Sequence, residues 1–453
     1  MNSTDKKYIF LIFVHIIIGF LIFAFPIASK IYAFSILIVG LYFIVKNKNA
    51  NNEALYVSAY IVGCEVFLRT THGNPNHEFA KYCITLFALL GIYYGGFLKK
   101  SWPFWVFLCL LIPGIIVGSN VLEAPITKEI VFDISGPVSL GICAIYTYKR
   151  KISANAINDI LFAIGLPLIA CCTYLFFDSP PLNEVHFETE SSFVLSGGYA
   201  PNQMATVLGL GLIVFFLRLI LKPSTTFHFI IDLVLMMYMY FRGILTFSRG
   251  GMIAAILTII VFLAFVNWNA DWQFRKHLLW KTVIVFIALS AISVWTSKQS
   301  HGLLKNRYAN EDKNGKARVH RATGRLKVAL REINFFEEHP VLGIGVGKGK
   351  EIRNKELGKK LSSHNEITRM LAEHGLPGLL ALLMLIAIPV ILFFDDKQNI
   401  YLVTFFAFWF LTINHAGMRV AAPSFIYALA LLNFQFDRKL FTLQQAPDSA
   451  QNS

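Results

Sequence analysis

Long apolar runs separated by short polar turns occupy most of the chain, and this pattern predicts helices that cross a membrane. Each run is about 15 to 20 residues long, as a helix needs in order to span ~30 Å of hydrocarbon. The candidate spans, several of them short, are residues 8–25, 31–45, 55–69, 80–97, 101–118, 130–148, 157–177, 203–221, 227–241, 252–267, 279–295, 376–394, 400–414 and 423–436. We therefore expect about 12 to 14 transmembrane helices.

One long polar segment, residues 296–375, interrupts this pattern, and two amphipathic helices are predicted within it. The first covers Gly324 to Phe336 and should lie along the membrane surface or pack on the bundle. The second begins with Ser363 to Glu366, which has the S-x-x-E form of a capping box with the serine as N-cap, and it ends near Gly375.

The expected fold is therefore all-α, a polytopic transmembrane helical bundle with one long loop that contains amphipathic helices. Residues 1–295 would form the N-terminal bundle, including a Ser-Arg-Gly-Gly turn, and residues 296–375 the long loop. Residues 376–437 would form the C-terminal spans, and residues 438–453 a tail.

Composition argues against an ordinary soluble protein. Hydrophobic residues make up 55% of the chain and charged residues only 15%, whereas about a quarter of the residues in soluble domains are charged. The six cysteines all fall within or at the edges of apolar spans, so no disulfide framework is expected.

The distribution of lysine and arginine predicts the orientation. If the N-terminus is cytoplasmic, loops on that side carry most of the short-loop basic residues, as the positive-inside rule requires. These residues are Lys46, Lys48, Lys99, Lys100, Lys149, Arg150, Lys151, Arg275, Lys276, Arg438 and Lys439. The same parity places the tail in the cytoplasm and the long loop outside, in the periplasm if the cell is a bacterium with two membranes.

The net charge of +14 mostly reflects these cytoplasmic anchors, so it does not indicate nucleic-acid binding. The long loop has a basic excess of its own, to which the positive-inside rule does not apply. Its members are Lys298, Lys305, Arg307, Lys313, Lys316, Arg318, Arg321, Arg325, Lys327 and Arg331. An anionic ligand or the headgroups of membrane lipids would account for this excess.

His364 is a candidate general base. In the first turn of its predicted helix the dipole would favour the neutral imidazole that a base needs near pH 7. A surface or capping histidine is the alternative interpretation.

Two arginines are candidate anion ligands. Arg249, in the sequence Phe-Ser-Arg-Gly-Gly, opens a predicted helix with Ser248 as its N-cap, and an anion shared with the helix amides would explain a cation there. Snorkelling to the interface would explain it equally well. Arg325 is either such a ligand or one charge on the wet side of an amphipathic helix, and Arg321, Arg331 and His320 are its rivals.

Three other patterns have simpler interpretations. The string GIGVGKG, Gly343 to Gly349, lacks the strand and helix of a dinucleotide site, so we interpret it as a tight loop that could cradle a phosphate. His186 with the nearby Glu-Thr-Glu sequence could bind a metal, but a solvated acidic loop is the better interpretation, and no metal or cofactor is expected. Glu65 and Arg69 are four residues apart and are expected to pair.

Several motifs in the C-terminal half together resemble the O-antigen ligase and polymerase family of membrane glycosyltransferases. They are GGYAPNQMA (Gly197 to Ala205), FSRGG (Phe247 to Gly251), GR (Gly324 and Arg325), HPVLGIGVG (His339 to Gly347), and SHNEI followed by LAEHGLPG (Leu371 to Gly378). Their order, the multispan context and the late outward loop agree with that family, whereas the N-terminal spans match only in hydropathy.

The resemblance implies a metal-independent glycosyltransferase of the bacterial inner membrane that acts at the periplasmic face. Its donor would be a glycan on undecaprenyl diphosphate, and its acceptor a sugar hydroxyl of the lipid A–core or of another glycan. The family's histidine corresponds to His364, and its arginines correspond to Arg249 and Arg325. We also expect Arg321, Asn365 and Asn202 to contact substrate.

Ligation to lipid A–core is favoured, and polymerisation of O-antigen or exopolysaccharide is the alternative, since the same residues serve both reactions. A transporter that flips lipid-linked glycans is a further alternative. Such proteins line a central cavity with charges and often have repeated halves. In this chain the charges collect at one face and no repeat is evident.

Overall fold

The computed structural model describes residues 3–121, 126–221, 225–317, 322–357 and 363–435, and it confirms the all-α bundle. Its helices are α1 (Ser3–Ala24), α2 (Ile27–Asn47), α3 (Glu53–Thr70), α4 (Phe79–Gly95), α5 (Trp102–Val121), α6 (Ile126–Thr147), α7 (Ala154–Asp178), α8 (Pro201–Leu221), α9 (Thr226–Leu245), α10 (Arg249–Asn269), α11 (Trp272–Gln299), α12 (Leu303–Tyr308), α13 (Ala322–Glu338), α14 (Lys348–Leu357), α15 (Glu366–Asp395), α16 (Ile400–Ile413) and α17 (Ala421–Ala430). Two three-residue strands, β1 (Lys151–Ser153) and β2 (Asn433–Gln435), pair in parallel.

Within the described residues, ten helices are long and apolar enough to cross a membrane: α1, α2, α5 to α11, and α15. The helices α4, α16 and α17 are apolar but shorter, and α3 carries the charged residues Glu53, Glu65 and Arg69. Each of the predicted spans overlaps one of these helices, but the last, residues 423–436, was too long, because α17 ends at Ala430 and residues 433–435 form β2. The chain is therefore a multi-pass membrane protein.

The core of the bundle lies around α8, of which 94% is buried. This helix packs against α7, α9 and α10, while α3 packs against α4 and α7. The peripheral helices α1 and α11 are only 22% and 11% buried, and their exposed apolar side chains are suited to contact with lipid. The closely packed helices around α8 thus form the centre of the bundle, and their ends lie at its two polar faces.

One end of the bundle gathers the basic loops. The backbone N–H of Lys149 donates to the carbonyl of Leu431 over 2.8 Å, which continues the β1–β2 pairing. Arg150 donates to the carbonyl of Gly96 (2.7 Å), and Lys149 pairs with Asp395 (2.7 Å). The ends of α4, α6, α15 and α17 therefore meet here, and the long polar segment lies at the opposite end.

The first amphipathic helix of the long segment is α13, which packs against α15. Phe335 and Glu332 face the protein, with 2% and 1% of their surfaces exposed, whereas Leu326 and Leu330 are 54% and 50% exposed. The helix therefore packs on the bundle through one side and presents apolar side chains outward on the other.

The glycine-rich loop before α14 is a tight loop, as predicted, with left-handed φ angles at Gly343, Gly345 and Gly347, but its amides are not available to a phosphate. Its amides are engaged by the protein: Ile344 N–H donates to the carbonyl of Ala372 (2.9 Å), Val346 N–H to that of Gly114 (3.0 Å), and Gly347 N–H to Glu373 Oε1 (3.1 Å). The loop instead ties α14 to α5 and α15.

Candidate active site

The Ser-Arg-Gly-Gly turn joins α9 to α10 and places Arg249 in the first turn of α10. Phe247 adopts a left-handed conformation (φ 52°), which costs a non-glycine residue about 1–3 kcal/mol. The Nε of Arg307 stabilises it by donating to the carbonyl of Phe247 over 2.8 Å. Ser248 occupies the predicted N-cap position, but its hydroxyl donates to Asn202 Oδ1 (2.6 Å) and does not cap the helix.

The two glycines of the turn allow neighbours to approach α10 closely. A Cβ on Gly251 would lie 2.4 Å from the carbonyl carbon of Ala205 in α8, so the backbones of α8 and α10 approach each other closely here. A Cβ on Gly250 would lie 2.4 Å from Cδ2 of His415. The second approach brings an imidazole ring beside the start of α10.

The guanidinium of Arg249 contacts the long segment. Its two terminal nitrogens each lie 3.3 Å from Oδ1 of Asn310, which follows α12. This amide oxygen carries no formal charge, so it orients the guanidinium without neutralising it.

His364 lies just before α15 and not in its first turn. The N-cap is Asn365, whose Oδ1 accepts from the N–H groups of Ile367 (2.9 Å) and Thr368 (3.3 Å). The predicted capping box with Ser363 as N-cap is therefore wrong. The side-chain oxygen of Asn365, expected to contact substrate, is engaged in capping the helix.

Glu332 of α13 fixes the loop before α15. It accepts hydrogen bonds from Ser363 Oγ (3.0 Å), Thr368 Oγ1 (2.6 Å) and Arg353 (3.0 Å). Burial raises the pKa of Glu332 above its ordinary value, although these three donors act in the opposite direction. Because α13 also carries Arg325, this carboxyl sets the position of that arginine relative to the loop.

The α15 helix bends at Gly375, where the predicted second amphipathic helix was expected to end. Gly375 has φ 61°, and a Cβ there would lie 2.6 Å from the amide nitrogen of Gly343. The helix nevertheless continues to Asp395. The loop that carries His364 is therefore attached directly to a membrane-spanning helix.

The turn between α16 and α17, residues 414–420, is a further element of the site that the sequence patterns did not predict. Arg419 donates through a terminal nitrogen to the carbonyl of Ser363. His415 places Nδ1 3.1 Å from the carbonyl of Leu411. The only signal in the sequence was a short polar stretch, Asn-His-Ala-Gly-Met-Arg, between two apolar runs.

The charges of these side chains act on one another. Burial, followed by Arg419, Arg325 and His415, lowers the pKa of His364 to about 3. Partial burial and then Arg249 lower the pKa of Arg325. Burial lowers the pKa of His415, and Arg325 acts in the same direction. Coulomb effects weaken with distance, and two contacts agree with them: Arg419 bonds to the residue before His364, and His415 lies against the turn of Arg249. The structure therefore brings the five side chains into one region.

Three arginines of this region lack an acidic partner. Neither Arg249, nor Arg325, nor Arg419 forms an ion pair with a carboxylate in the parts of the chain that the structure describes. Such a cluster of guanidinium groups is suited to an anion from outside the protein, since a guanidinium can bind phosphate oxygens through two parallel hydrogen bonds.

The other residues predicted from the sequence differ in how they relate to this region. Arg321 lies outside the described residues. Asn202 lies beside the turn that carries Arg249, as its bond to Ser248 shows. Glu65 and Arg69 pair as expected, at 2.6 Å. In the described ranges no group of three or more His, Cys, Asp or Glu side chains is placed to hold a metal ion.

A family model described as O-antigen ligase matches residues 233–383. The match includes Arg249, Arg325 and His364, and it ends before the turn at residues 414–420. No curated protein matches the chain. The match supports the O-antigen ligase family over about a third of the chain, so the resemblance indicated by the motifs is confirmed.

Proposed function

We propose that the protein transfers a glycan from undecaprenyl diphosphate to an acceptor sugar hydroxyl at the periplasmic face of the bacterial inner membrane, with O-antigen ligation to lipid A–core as the reaction. The observation that carries this proposal is that Arg325 lies near both Arg249 and a neutral His364, while His415, which also lies near His364, contacts the turn that carries Arg249. Neither arginine is paired with a described carboxylate. The family match supports the general class of substrates.

The proposed reaction is a direct displacement at the anomeric carbon. His364 accepts the proton of the acceptor hydroxyl while its oxygen forms the new glycosidic bond, a contribution of about 10²–10⁴ in rate. The bond from the anomeric carbon to the diphosphate oxygen breaks, and its electron pair leaves with undecaprenyl diphosphate. Arg249 and Arg325 stabilise the negative charge that grows there. The configuration of the sugar inverts.

Donor binding should strengthen the base. With no anion present, the nearby cations contribute to holding the pKa of His364 at about 3, well below the value that suits a general base near neutral pH. The negative charge of the diphosphate would offset these cations and raise the pKa. His364 would then be an effective base only after the donor has bound.

The test is transfer by the purified full-length protein, supplied with an undecaprenyl-diphosphate-linked oligosaccharide and lipid A–core. We expect His364→Ala to lower the transfer rate by about 10²–10⁴. The control is His277→Ala, because His277 is exposed on α11 at the other end of the bundle. Full transfer by the His364 variant would overturn the proposal.

The acceptor decides between ligation and polymerisation. If the protein is a ligase, the glycan should appear on lipid A–core and the lipid-linked donor should not lengthen. Lengthening of the donor in the absence of lipid A–core would identify a polymerase. Movement of the donor across vesicles without any transfer would identify a transporter.

A further inference from the structure

The turn at residues 414–420 lies beside the proposed catalytic groups, but it is outside the matched region and has no assigned role. Its backbone is held on two sides. On one side, Glu65 of α3 accepts from the N–H of Ala421 (2.6 Å), and Arg69 donates to the carbonyl of Arg419 (3.2 Å). On the other side, Glu366 of α15 accepts from the N–H of Met418 (3.1 Å).

This double attachment gives the turn a fixed position. Glu65 and Arg69 are paired at 2.6 Å, with 0% and 2% of their side-chain surfaces exposed, and Glu366 is paired with Arg369. A turn held by buried, neutralised pairs can place a side chain with the precision that a binding site needs.

The side chain that this turn delivers is Arg419. One of its terminal nitrogens donates to the carbonyl of Ser363, next to His364. A guanidinium has five N–H donors, so others remain for a second partner. Arg419 also lines a cavity with Ser363, Asp133 and Glu366. Asp133 and Glu366 both attract the guanidinium of Arg419, Asp133 the more strongly. Both carboxylates form their ion pairs with Arg369, Asp133 at 3.9 Å, and neither is paired with Arg419 in the described chain.

We propose that Arg419 is a third anion-binding side chain, which contacts the diphosphate of the donor together with Arg249 and Arg325 while its bond to Ser363 holds the loop of the base. This inference rests on the proposed function and adds to it. The same guanidinium would bind the leaving group and position the residue that activates the acceptor.

The third cation should matter most as the glycosidic bond breaks. Each phosphoryl group of the intact donor carries one negative charge, and the departing diphosphate gains another. An interaction that strengthens with this charge raises kcat more than it lowers KM. Removal of Arg419 should therefore weaken binding of undecaprenyl diphosphate, the product, more than binding of undecaprenyl monophosphate.

The experiment measures binding of undecaprenyl diphosphate and undecaprenyl monophosphate to the full-length protein in lipid nanodiscs. Arg419→Gln retains an N–H donor for the carbonyl of Ser363 but removes the charge. We expect it to weaken diphosphate binding about tenfold or more, as loss of a charge-assisted hydrogen bond predicts. Arg419→Lys retains the charge but loses the planar fork, and it should fall between Arg419→Gln and the wild type.

Arg275→Gln is the matched control, because it removes an arginine charge that is exposed on α11 at the opposite end of the bundle. It should bind both lipids like the wild type. Unfolding temperatures identify any variant that is not folded. If Arg419→Gln is not folded, the folded Arg419→Lys variant is compared with the wild type instead. A diphosphate affinity of Arg419→Lys equal to that of the wild type would then overturn the inference.

The outcomes separate this inference from the proposed function. If Arg249→Gln weakens diphosphate binding but Arg419→Gln does not, Arg419 only positions the loop and the inference is wrong, while the proposed function stands. If the wild type binds the two lipids equally and Arg249→Gln changes neither affinity, the proposed function itself fails.

Discussion

Arg69 and Arg249 both lie at the end of the bundle that carries the long polar segment, but their partners differ. Arg69 is 2% exposed and pairs with Glu65 at 2.6 Å, and it also donates to Gln203 (2.8 Å). Arg249 is less buried, and it donates to the neutral amide oxygen of Asn310. The first guanidinium is neutralised within the protein, whereas the second has no carboxylate partner among the described residues, as the proposed binding of a diphosphate requires.

Arg369 and Arg325 repeat this contrast in the second half of the chain. Arg369 pairs with Glu373 at 2.7 Å and also with Glu366. Arg325 has no such pair in the described chain, and its side chain reaches solvent although the surrounding protein partly desolvates the guanidinium. We infer that the buried pairs stabilise the framework, while the arginines without a described carboxylate partner give the site its positive charge. Mutations in the two sets should therefore change different quantities.

The largest effect should follow from breaking a buried pair. Glu65→Ala leaves Arg69 buried without its carboxylate and removes the acceptor of the Ala421 N–H. We expect a loss of about 3–5 kcal/mol in the free energy of unfolding, measured by denaturation in detergent micelles. Glu338→Ala is the control, because its pair with Arg331 is exposed and should contribute about 1 kcal/mol or less. Equal free energies of unfolding for the two variants would show that the buried pair stabilises the protein no more than the exposed pair does.

Replacing an unpaired arginine should affect turnover and not stability. Arg249→Gln should lower kcat for glycan transfer by about 10²–10³, the usual effect of removing one group that stabilises charge in the transition state. Its unfolding temperature should match that of Arg275→Gln. A variant that unfolds as readily as Glu65→Ala, or that transfers glycan at the wild-type rate, would contradict this division.

Glu332 connects the two sets, because it belongs to a buried pair and also holds the loop of His364. Glu332→Gln keeps the shape but weakens the contacts with Ser363 and Arg353, both of which donate to it at 3.0 Å. We expect kcat to fall about tenfold, as loss of one charge-assisted hydrogen bond predicts, with little change in the KM for the donor. Steady-state kinetics check this, and an unchanged kcat would show that the loop does not depend on α13.

The smallest effect should appear in the pH dependence. His364 must be neutral to accept a proton, so the rate falls as the pH drops through its pKa. Burial and the nearby cations lower that pKa from 6.5 to about 3 in the empty site, and bound diphosphate should raise it. The acid limb of kcat/KM for the donor, which reports the free enzyme, should therefore lie below pH 6.5. The acid limb of kcat, which reports the enzyme with donor bound, should lie at a higher pH than that of kcat/KM. If the acid limbs of kcat and kcat/KM coincide, bound diphosphate does not raise the pKa of His364, and this prediction is wrong.

The sequence predicted the membrane helices and the elements that carry Arg249 and Arg325, because both depend on local patterns. A run of apolar residues long enough for the bilayer forms a helix wherever it lies in the chain. It also predicted the Glu65–Arg69 pair, since residues four apart are neighbours on a helix. The cap at Asn365 was missed because Ser363 and Asn365 both have side chains that can cap a helix, and only packing selects between them.

Local patterns in the sequence thus account for the bundle, its polar end, three residues of the candidate site and a pair such as Glu65 with Arg69. They do not show which groups meet across the bundle, because those groups lie far apart along the chain. Glu65 and Ala421 are 356 positions apart, yet their hydrogen bond fixes the turn that brings Arg419 to Ser363. The phosphate role considered for the glycine-rich loop failed for the same reason, since the two carbonyl groups and the carboxylate that engage its amides belong to other helices.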